Sequence, residues 1–170
     1  MMSQDPLTTL DARYSSEGAQ ATPWPDTRAE LEKAGLFWVV TVKADGRPHV
    51  TPVVGVWVDD AFYFSSGAGE QKSRNLAASP HCSVITGGNA WNAGFDTVLH
   101  GDAVVTRDLP LLRTVADAFA AKYGDDWAFE VNEDGTFGGH GVALVYRVTP
   151  AQALGFGKGE PSFSHTSYRF

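Results

Sequence analysis

Leu36-Phe-Trp-Val-Val-Thr-Val-Lys43, Asp45-Gly46, Arg47-Pro-His-Val-Thr-Pro-Val-Val-Gly-Val-Trp-Val58, Asp59-Asp60 and Phe62-Tyr-Phe-Ser65 follow one another almost without interruption. The first run is β-branched and aromatic, the composition of a strand. Asp45-Gly46 is the strongest short hairpin signal available, because a type I′ turn needs positive φ at both central residues. The return run from Arg47 to Val58 begins with alternating character and then meets Pro52 and Gly55. Proline cannot donate to a ladder, so Pro52 marks an edge, a bulge or a barrel corner. Gly55 permits a bend or a close backbone approach. Asp59-Asp60 turns the chain once more into Phe62–Ser65. The expectation is a three-stranded antiparallel meander.

Upstream, Met1 to Thr22 is polar and aperiodic, which predicts a flexible arm over 1–22 and a single domain over 23–170. Pro23-Trp-Pro-Asp26 introduces a short helix over Thr27–Ala34, with Asp26 as N-cap and Gly35 as its end. Downstream, a helix over Glu70–Ser79 is stopped by Pro80, and His81–Thr86 reads as a fourth strand. After the Gly87-Gly-Asn89 loop, Thr97–Arg107 is a fifth. Asp108 caps a second marked helix with Pro110 in its first turn. Leu111, Leu112, Val115, Ala116, Phe119 and Tyr123 form its apolar face, and Lys122 and Gly124 signal its end. Asp125–Val131 adds a turn and Glu133–Gly139 a loop. Gly141–Val148 is a sixth strand, and Ala151–Phe156, after Pro150, another.

Six or more strands with short hairpins and two intervening helices predict a mainly β fold with peripheral helices, a closed or split antiparallel barrel. Parallel βαβ alternation is absent. Gly67-Ala-Gly69 also lacks the full G-x-G-x-x-G spacing, and both observations argue against a Rossmann domain.

Composition narrows the function. At 170 residues with 43% hydrophobic and 19% charged side chains, the chain can build one real core. Its 18 glycines, 9 prolines, 10 phenylalanines and 5 tyrosines suit many turns and strands. A net charge of −7 argues against nucleic-acid binding, which depends on neutralised phosphates. Any anionic ligand must be held by a local basic patch. One cysteine, Cys82, excludes an intrachain disulfide or a multi-cysteine metal site, and its apolar strand makes it a buried small residue. His49, His81, His100, His140 and His165 show no ligand spacing, so no metal site is expected. His49 reads as a strand residue rather than a general acid, Trp57 as core or pocket wall, and Trp91 and Lys158 as loop residues. No secretory start or membrane-length apolar run is present, which places the protein in the cytoplasm, away from membranes.

The chemistry-bearing stretch is Ser65-Ser-Gly-Ala-Gly-Glu-Gln-Lys-Ser-Arg-Asn-Leu76. A strand ends in two hydroxyls, a glycine loop follows and a helix begins. Helix N-termini bind phosphates because their first N–H groups are free and the dipole is positive there. Lys72 and Arg74 near that terminus are unfavourable to the dipole unless an anion is bound. Lys72 and Asn75, three apart, share a face. The competing reading is a solvated helix face with Glu70 pairing to Arg74 at i, i+4.

Thr41-Val-Lys-Ala-Asp-Gly-Arg-Pro-His-Val-Thr-Pro-Val53, Phe62-Tyr-Phe-Ser65, Lys72-Ser-Arg-Asn-Leu-Ala-Ala-Ser-Pro80, His100-Gly-Asp-Ala103 and the closing Tyr168-Arg-Phe170 occur in an order and spacing that resembles the pyridoxamine 5'-phosphate oxidase-like superfamily of FMN-binding split barrels. The chain is most similar to its flavin- and deazaflavin-dependent oxidoreductase branch. The resemblance implies a homodimer with cofactor in a cleft between subunits. It places the ring along Thr51, Pro52, Val53 and Val54, and the phosphate against Ser65, Ser66 and Lys72, with Arg74 and Asn75 adjacent. It implies FMN or coenzyme F420, and the Lys-Ser-Arg-Asn-Leu run tilts the choice toward F420. The implied activity is hydride transfer between this cofactor and a small organic substrate. No residue is singled out as catalytic acid. A cofactor-sequestering protein of the same fold, or an interaction module without cofactor, are the alternative readings.

Overall fold

Ala61, Phe62, Tyr63 and Phe64 are all buried, although a strand turns successive side chains to opposite faces. Both faces are covered because this strand lies between two cores. Phe62 and Phe64 point into one with Phe37, Val39, Val84 and Val148. Ala61 and Tyr63 join the other, with Leu112, Val115, Phe119 and Phe137. The first core fills a barrel, and the second glues a helix to the barrel wall.

The computed structural model describes residues 5–139, 141–159 and 162–170. In chain order these form β1 (Leu7–Leu10), α1 (Trp24–Lys33), β2 (Phe37–Val42), β3 (Pro48–Val53), β4 (Val56–Val58), β5 (Ala61–Ser66), α2 (Gln71–Ala78) and β6 (His81–Thr86). Then follow β7 (Gly94–Val105), α3 (Leu109–Tyr123), β8 (Glu130–Val131), β9 (Phe137–Gly138), β10 (Leu144–Lys158) and β11 (Ser164–Arg169). All named strand pairs are antiparallel, and the main sheet runs β1-β11-β10-β7-β6-β2-β3, with β5 on β10 and β4 on β5. The result is a split β-barrel with peripheral helices, as the sequence predicts.

The split falls inside the expected meander. Lys43 and Arg47 close the first hairpin, and β2 pairs with β3 from Phe37↔Val53 to Val42↔Pro48. The return run, however, is two strands. β4 pairs with β5, not with β2, so β3 and β4 lie on opposite sides of the opening. Gly55 between them explains the break. A Cβ there would stand 2.2 Å from Phe62 Cζ and 2.8 Å from the Tyr63 carbonyl oxygen. Its N–H donates to Tyr123 Oη at 3.1 Å, and its carbonyl accepts from Tyr123 Oη at 2.9 Å and Lys122 Nζ at 3.1 Å. The chain crosses the split pinned to α3.

Several expectations are corrected. Part of the segment expected as a flexible arm is strand: β1 pairs with β11 from Leu7↔Arg169 to Leu10↔Thr166, and the Thr22 N–H donates to Thr166 Oγ1 at 3.0 Å. The edge of β11 offered it unpaired backbone groups, a tertiary opportunity that local polarity does not announce. Residues 1–4 of that arm lie outside the described residues, as does His140. α1 begins at Trp24, before Asp26, with Pro23 as N-cap and no side-chain cap. Trp24 packs edge-on against Tyr168 and Phe170, with centroids 5.2 and 4.8 Å away, so barrel packing sets the helix start. The two strands expected around Pro150 are one 15-residue strand, β10, with a bulge between Pro150 and Gln152. Its first part lies between β5 and β7, and its second between β7 and β11. Gly101 sits opposite the bulge, where a Cβ would meet the Thr149 carbonyl at 2.3 Å. The loop expected over 133–139 closes into the β8–β9 hairpin.

α3 forms where expected. Asp108 accepts from the Leu111 N–H at 2.9 Å, and Leu112, Val115, Ala116 and Phe119 are buried. No described helix is long and apolar enough to cross a membrane. Among the described residues, no cluster of three potential metal ligands occurs.

Candidate functional site

β3 and β5 end on opposite lips of the split, and α2 starts immediately after β5. Ser65 and Ser66 lie opposite Val145 and Leu144 of β10. Gly67–Glu70 then turns into α2, whose first turn carries Lys72. The stretch folds this way because the glycine loop allows a tight exit from the sheet and because Ser73, Asn75 and Leu76 bury one face of α2 against the barrel. Ser73 Oγ donates to Ser66 Oγ at 2.8 Å, and Asn75 Nδ2 donates to Thr41 Oγ1 at 2.9 Å. These two bonds fix the helix start relative to β5 and β2.

Between the lips lies a cleft of about 420 Å³, within the range of small-molecule sites. One wall is Pro52, Val53 and Val54. Ser65, Ser66, Gly67, Glu70 and Lys72 form the polar end. Trp127, Phe129 and Gly141–Ala143 complete it. Lys72 is the chemically unusual member, since its side chain is only 9% exposed. A buried ammonium needs a partner, and here Glu70 supplies it. The other Glu70 oxygen accepts from the Gly67 N–H at 2.7 Å. Burial opposes ionisation of Glu70, but Lys72 and the Gly67 N–H outweigh it and hold the carboxyl below the ordinary glutamate range. The i, i+4 pairing of Glu70 with Arg74 does not form. Arg74 instead donates to the Gly69 carbonyl at 2.9 Å and to Gln71 Oε1 at 3.0 Å.

Six of the nine residues expected at the site therefore meet: Pro52, Val53, Val54, Ser65, Ser66 and Lys72 all line one cleft. Thr51 is half-buried in β3 opposite Val39, outside the lining. Arg74 is exposed beyond the rim, and Asn75 is spent on Thr41 and Gln71. Sequence reading missed Trp127 and Phe129. Their rings meet at a 5.9 Å centroid distance, and Phe129 stacks on Phe137 at 4.6 Å. The aromatic pair directly behind a glycine-terminated helix is the signal that could have found them.

The family model described as pyridoxamine 5'-phosphate oxidase matches residues 24–152, which includes both lips of this cleft. The chain belongs to the pyridoxamine 5'-phosphate oxidase family. Solved structures of similar fold span several roles. A heme storage protein of Vibrio cholerae is 21% identical with a TM-score of 0.60, covering 79% of this chain and 94% of its own. An FAD-binding protein of Mesorhizobium loti is 18% identical with a TM-score of 0.58, covering 96% and 99%. A NimC/NimA family protein of Clostridium acetobutylicum is 15% identical with a TM-score of 0.56, covering 82% and 90%. At such identities the likeness concerns the fold. No curated protein matches this family member in sequence.

Other readings resolve within the same geometry. Cys82 is buried and its thiol is pushed up to about 12, first by burial and then by Asp102, which makes it a packing residue. His49 is a strand residue of β3. Trp57 packs edge-on to Trp24 at 6.0 Å. Trp91 is 78% exposed on its loop and stacks on Phe163. Lys158, expected on an exposed loop, is instead the end of β10. Its Nζ pairs with Asp96 at 2.8 Å and donates to the Gly88 and Ala90 carbonyls, tying down the β6–β7 loop.

Proposed function

We propose that the cleft holds a phosphate-bearing flavin or deazaflavin, FMN or coenzyme F420, and that the protein passes a hydride between it and a small organic substrate. The observation that carries this reading is the nearly buried Lys72 beside two serine hydroxyls and an uncapped helix start. These groups suit a phosphate, for which helix N-terminal N–H groups, hydroxyls and an ammonium are the common donors. Pro52, Val53 and Val54 offer an apolar wall for a planar ring, and Trp127 and Phe129 add aromatic surface to the same cleft. The residues present fit such a group.

When bound, the cofactor supplies the hydride chemistry. The chain's own residues then bind the phosphate at Ser65, Ser66 and Lys72, orient the ring along the end of β3 and shield one face from water. The substrate-phosphate residues of pyridoxamine phosphate oxidation are not identifiable in the sequence, so that reaction is not assigned.

The reading includes a homodimer in the cytoplasm. The outer face of β2 and β3 supports the dimer: Trp38 is 44% exposed, Val42 46% and Val50 54%, and Trp38 lies opposite Pro52 at the cleft lip. Contiguous apolar surface of this kind marks an interface.

Fluorescence titration of the purified protein with FMN and with F420 tests the cofactor. Micromolar or tighter binding to one fixes it, and binding to neither removes the oxidoreductase reading. Oxidation of the reduced cofactor by a panel of acceptors then separates an enzyme from a sequestering protein. Lys72→Ala weakens the bound cofactor by about 1.5–3 kcal/mol, the scale of a hydrogen bond to a charged group. Its denaturation midpoint stays near wild type, because Glu70 is half-exposed and keeps the Gly67 N–H.

A further inference from the structure

Glu70 stands at the N-cap of α2 with φ −73° and ψ 152°, yet its side chain makes no capping bond. Its carboxylate is turned back over the loop, where one oxygen accepts from the Gly67 N–H and the other pairs with Lys72. Those are one backbone donor and one nearly buried ammonium, both lining the cleft. They are also donors that the phosphate of the proposed ligand would use. A carboxylate thus stands where a ligand anion would stand.

We propose that Glu70 is a built-in competitor for the ligand's phosphate, and that it sets which anions the site accepts. This rests on the phosphate-bearing cofactor reading above. A carboxylate carries one charge and two oxygens. The phosphate monoester of FMN carries about −1.5 to −2 at neutral pH and three acceptor oxygens, whereas the phosphodiester of F420 carries one charge and two free oxygens and competes through its further contacts alone. Such a group can take Lys72 and the Gly67 N–H and still reach the Ser65 hydroxyl and the free N–H groups of α2. A simple carboxylate offers nothing beyond what Glu70 already provides, so it does not displace it. The site is therefore closed to weak anions and open to phosphates, at the cost of some phosphate affinity.

Glu70 has room to leave, because its side chain is 52% exposed. Water solvates the displaced carboxylate, and Lys72 passes from one anion to the other without being stranded. Removing the Glu70 charge while keeping its shape, as in Glu70→Gln, abolishes the competition and retains an acceptor for the Gly67 N–H.

The test is a fluorescence titration of wild type and Glu70→Gln with four probes: FMN, riboflavin, F420 and the phosphate-free F420 chromophore. Acetate is then added as a competitor. Glu70→Gln binds the phosphate-bearing cofactor about tenfold tighter, the scale of one charge-assisted contact, while the phosphate-free form changes by less than about twofold. Acetate weakens cofactor binding to the variant and leaves wild type unaffected. Unchanged or weaker binding of the phosphate form overturns the proposal, and so does equal tightening of the phosphate-free form. In both cases wild-type cofactor binding still stands. If no probe binds either protein, the cofactor reading falls and Glu70's role with it. Glu70→Ala, run in parallel, supplies the same comparison should the glutamine variant fold poorly.

Discussion

The barrel has a sealed side and an open side, and they are built differently. On the sealed side β10 is held along its whole length, by β5 and β7 first and by β7 and β11 afterwards. Its backbone groups are consumed by neighbours, and its inward side chains, such as Val145, Tyr146, Val148 and Ala153, are buried in the two cores. On the open side β3 stops at Val53, the chain crosses at Val54–Gly55, and α3 holds the crossing through Tyr123 and Lys122. No ladder joins the lips there, so hydroxyls, a helix start and a lysine face a cleft. The incomplete ladder is what makes room for a ligand.

This contrast can be broken by mutation. Phe64 is fully buried on the sealed side and stacks on Tyr146 at 5.1 Å. Phe64→Ala costs about 3–5 kcal/mol in urea denaturation. A loss under about 1 kcal/mol would show that the barrel interior collapses easily and that the sealed side is not the rigid half. Gly55→Ala at the split costs about 1–3 kcal/mol, because the new methyl must push Phe62 or the Tyr63 backbone aside. Its second readout is cofactor affinity, which falls as Val54 is displaced from the cleft wall.

Tyr123→Phe is milder. It removes both bonds between Tyr123 Oη and Gly55, while Lys122 keeps the Gly55 carbonyl satisfied. The expected loss is about 1–2 kcal/mol in the same assay. Equal values for this variant in the presence and absence of cofactor would separate the pin from the site.

The last effect is one of pH. Lys122 lies 5.1 Å from the centroid of Phe37 and 5.3 Å from that of Tyr123. Burial depresses its ammonium to about 8, against a small opposing contribution from Glu32. Between about pH 8 and the ordinary lysine value of 10.5 the unfolded chain keeps a proton that the folded chain has released. Stability therefore gains an upward contribution with pH across that window and none below it. The difference in thermal midpoint between wild type and Lys122→Met isolates this contribution. A difference that stays flat from pH 7.5 to 10 would mean that Lys122 is well solvated and that the pin is hydrogen-bonded only loosely.

Much of the fold was legible because local chemistry and tertiary structure agree. The chain turns at Asp45-Gly46, although only Gly46 takes the positive φ there, and the 3- and 4-residue apolar spacing of Leu112, Val115, Ala116 and Phe119 becomes the buried face of α3. The phosphate-like end of the site was legible too, since Ser65, Ser66 and Lys72 are near neighbours in sequence and the loop between them is short. Arg74 and Asn75 were harder. On a helix, a rotation of about 100° per residue sends Arg74 away from Lys72 to solvent, whereas Asn75 returns to the Lys72 face almost one turn further along, where Thr41 takes its amide. Trp127 and Phe129 carried only the weak signal of an aromatic pair behind α3, because their place in the cleft depends on where α3 docks.

By itself, the sequence determined α2, α3, most of the strands, their antiparallel class and the composition of the polar end of the cleft. Those properties depend on residues within about ten positions of each other, where periodicity, turn chemistry and helix signals act. Only the tertiary structure decided that the return strand divides at Gly55, that β1 joins the edge of β11, that one strand runs through Pro150, and that Glu70 turns to Lys72 instead of Arg74. Each of these is settled by a partner that is distant in the chain or by a choice between near neighbours: α3 and Phe62 for Gly55, β11 for the N-terminal strand, Gly101 for the bulge, and the burial of Lys72 for Glu70. Local propensity weighs tenths of a kcal/mol, whereas burying an aromatic ring or partnering a desolvated charge weighs several.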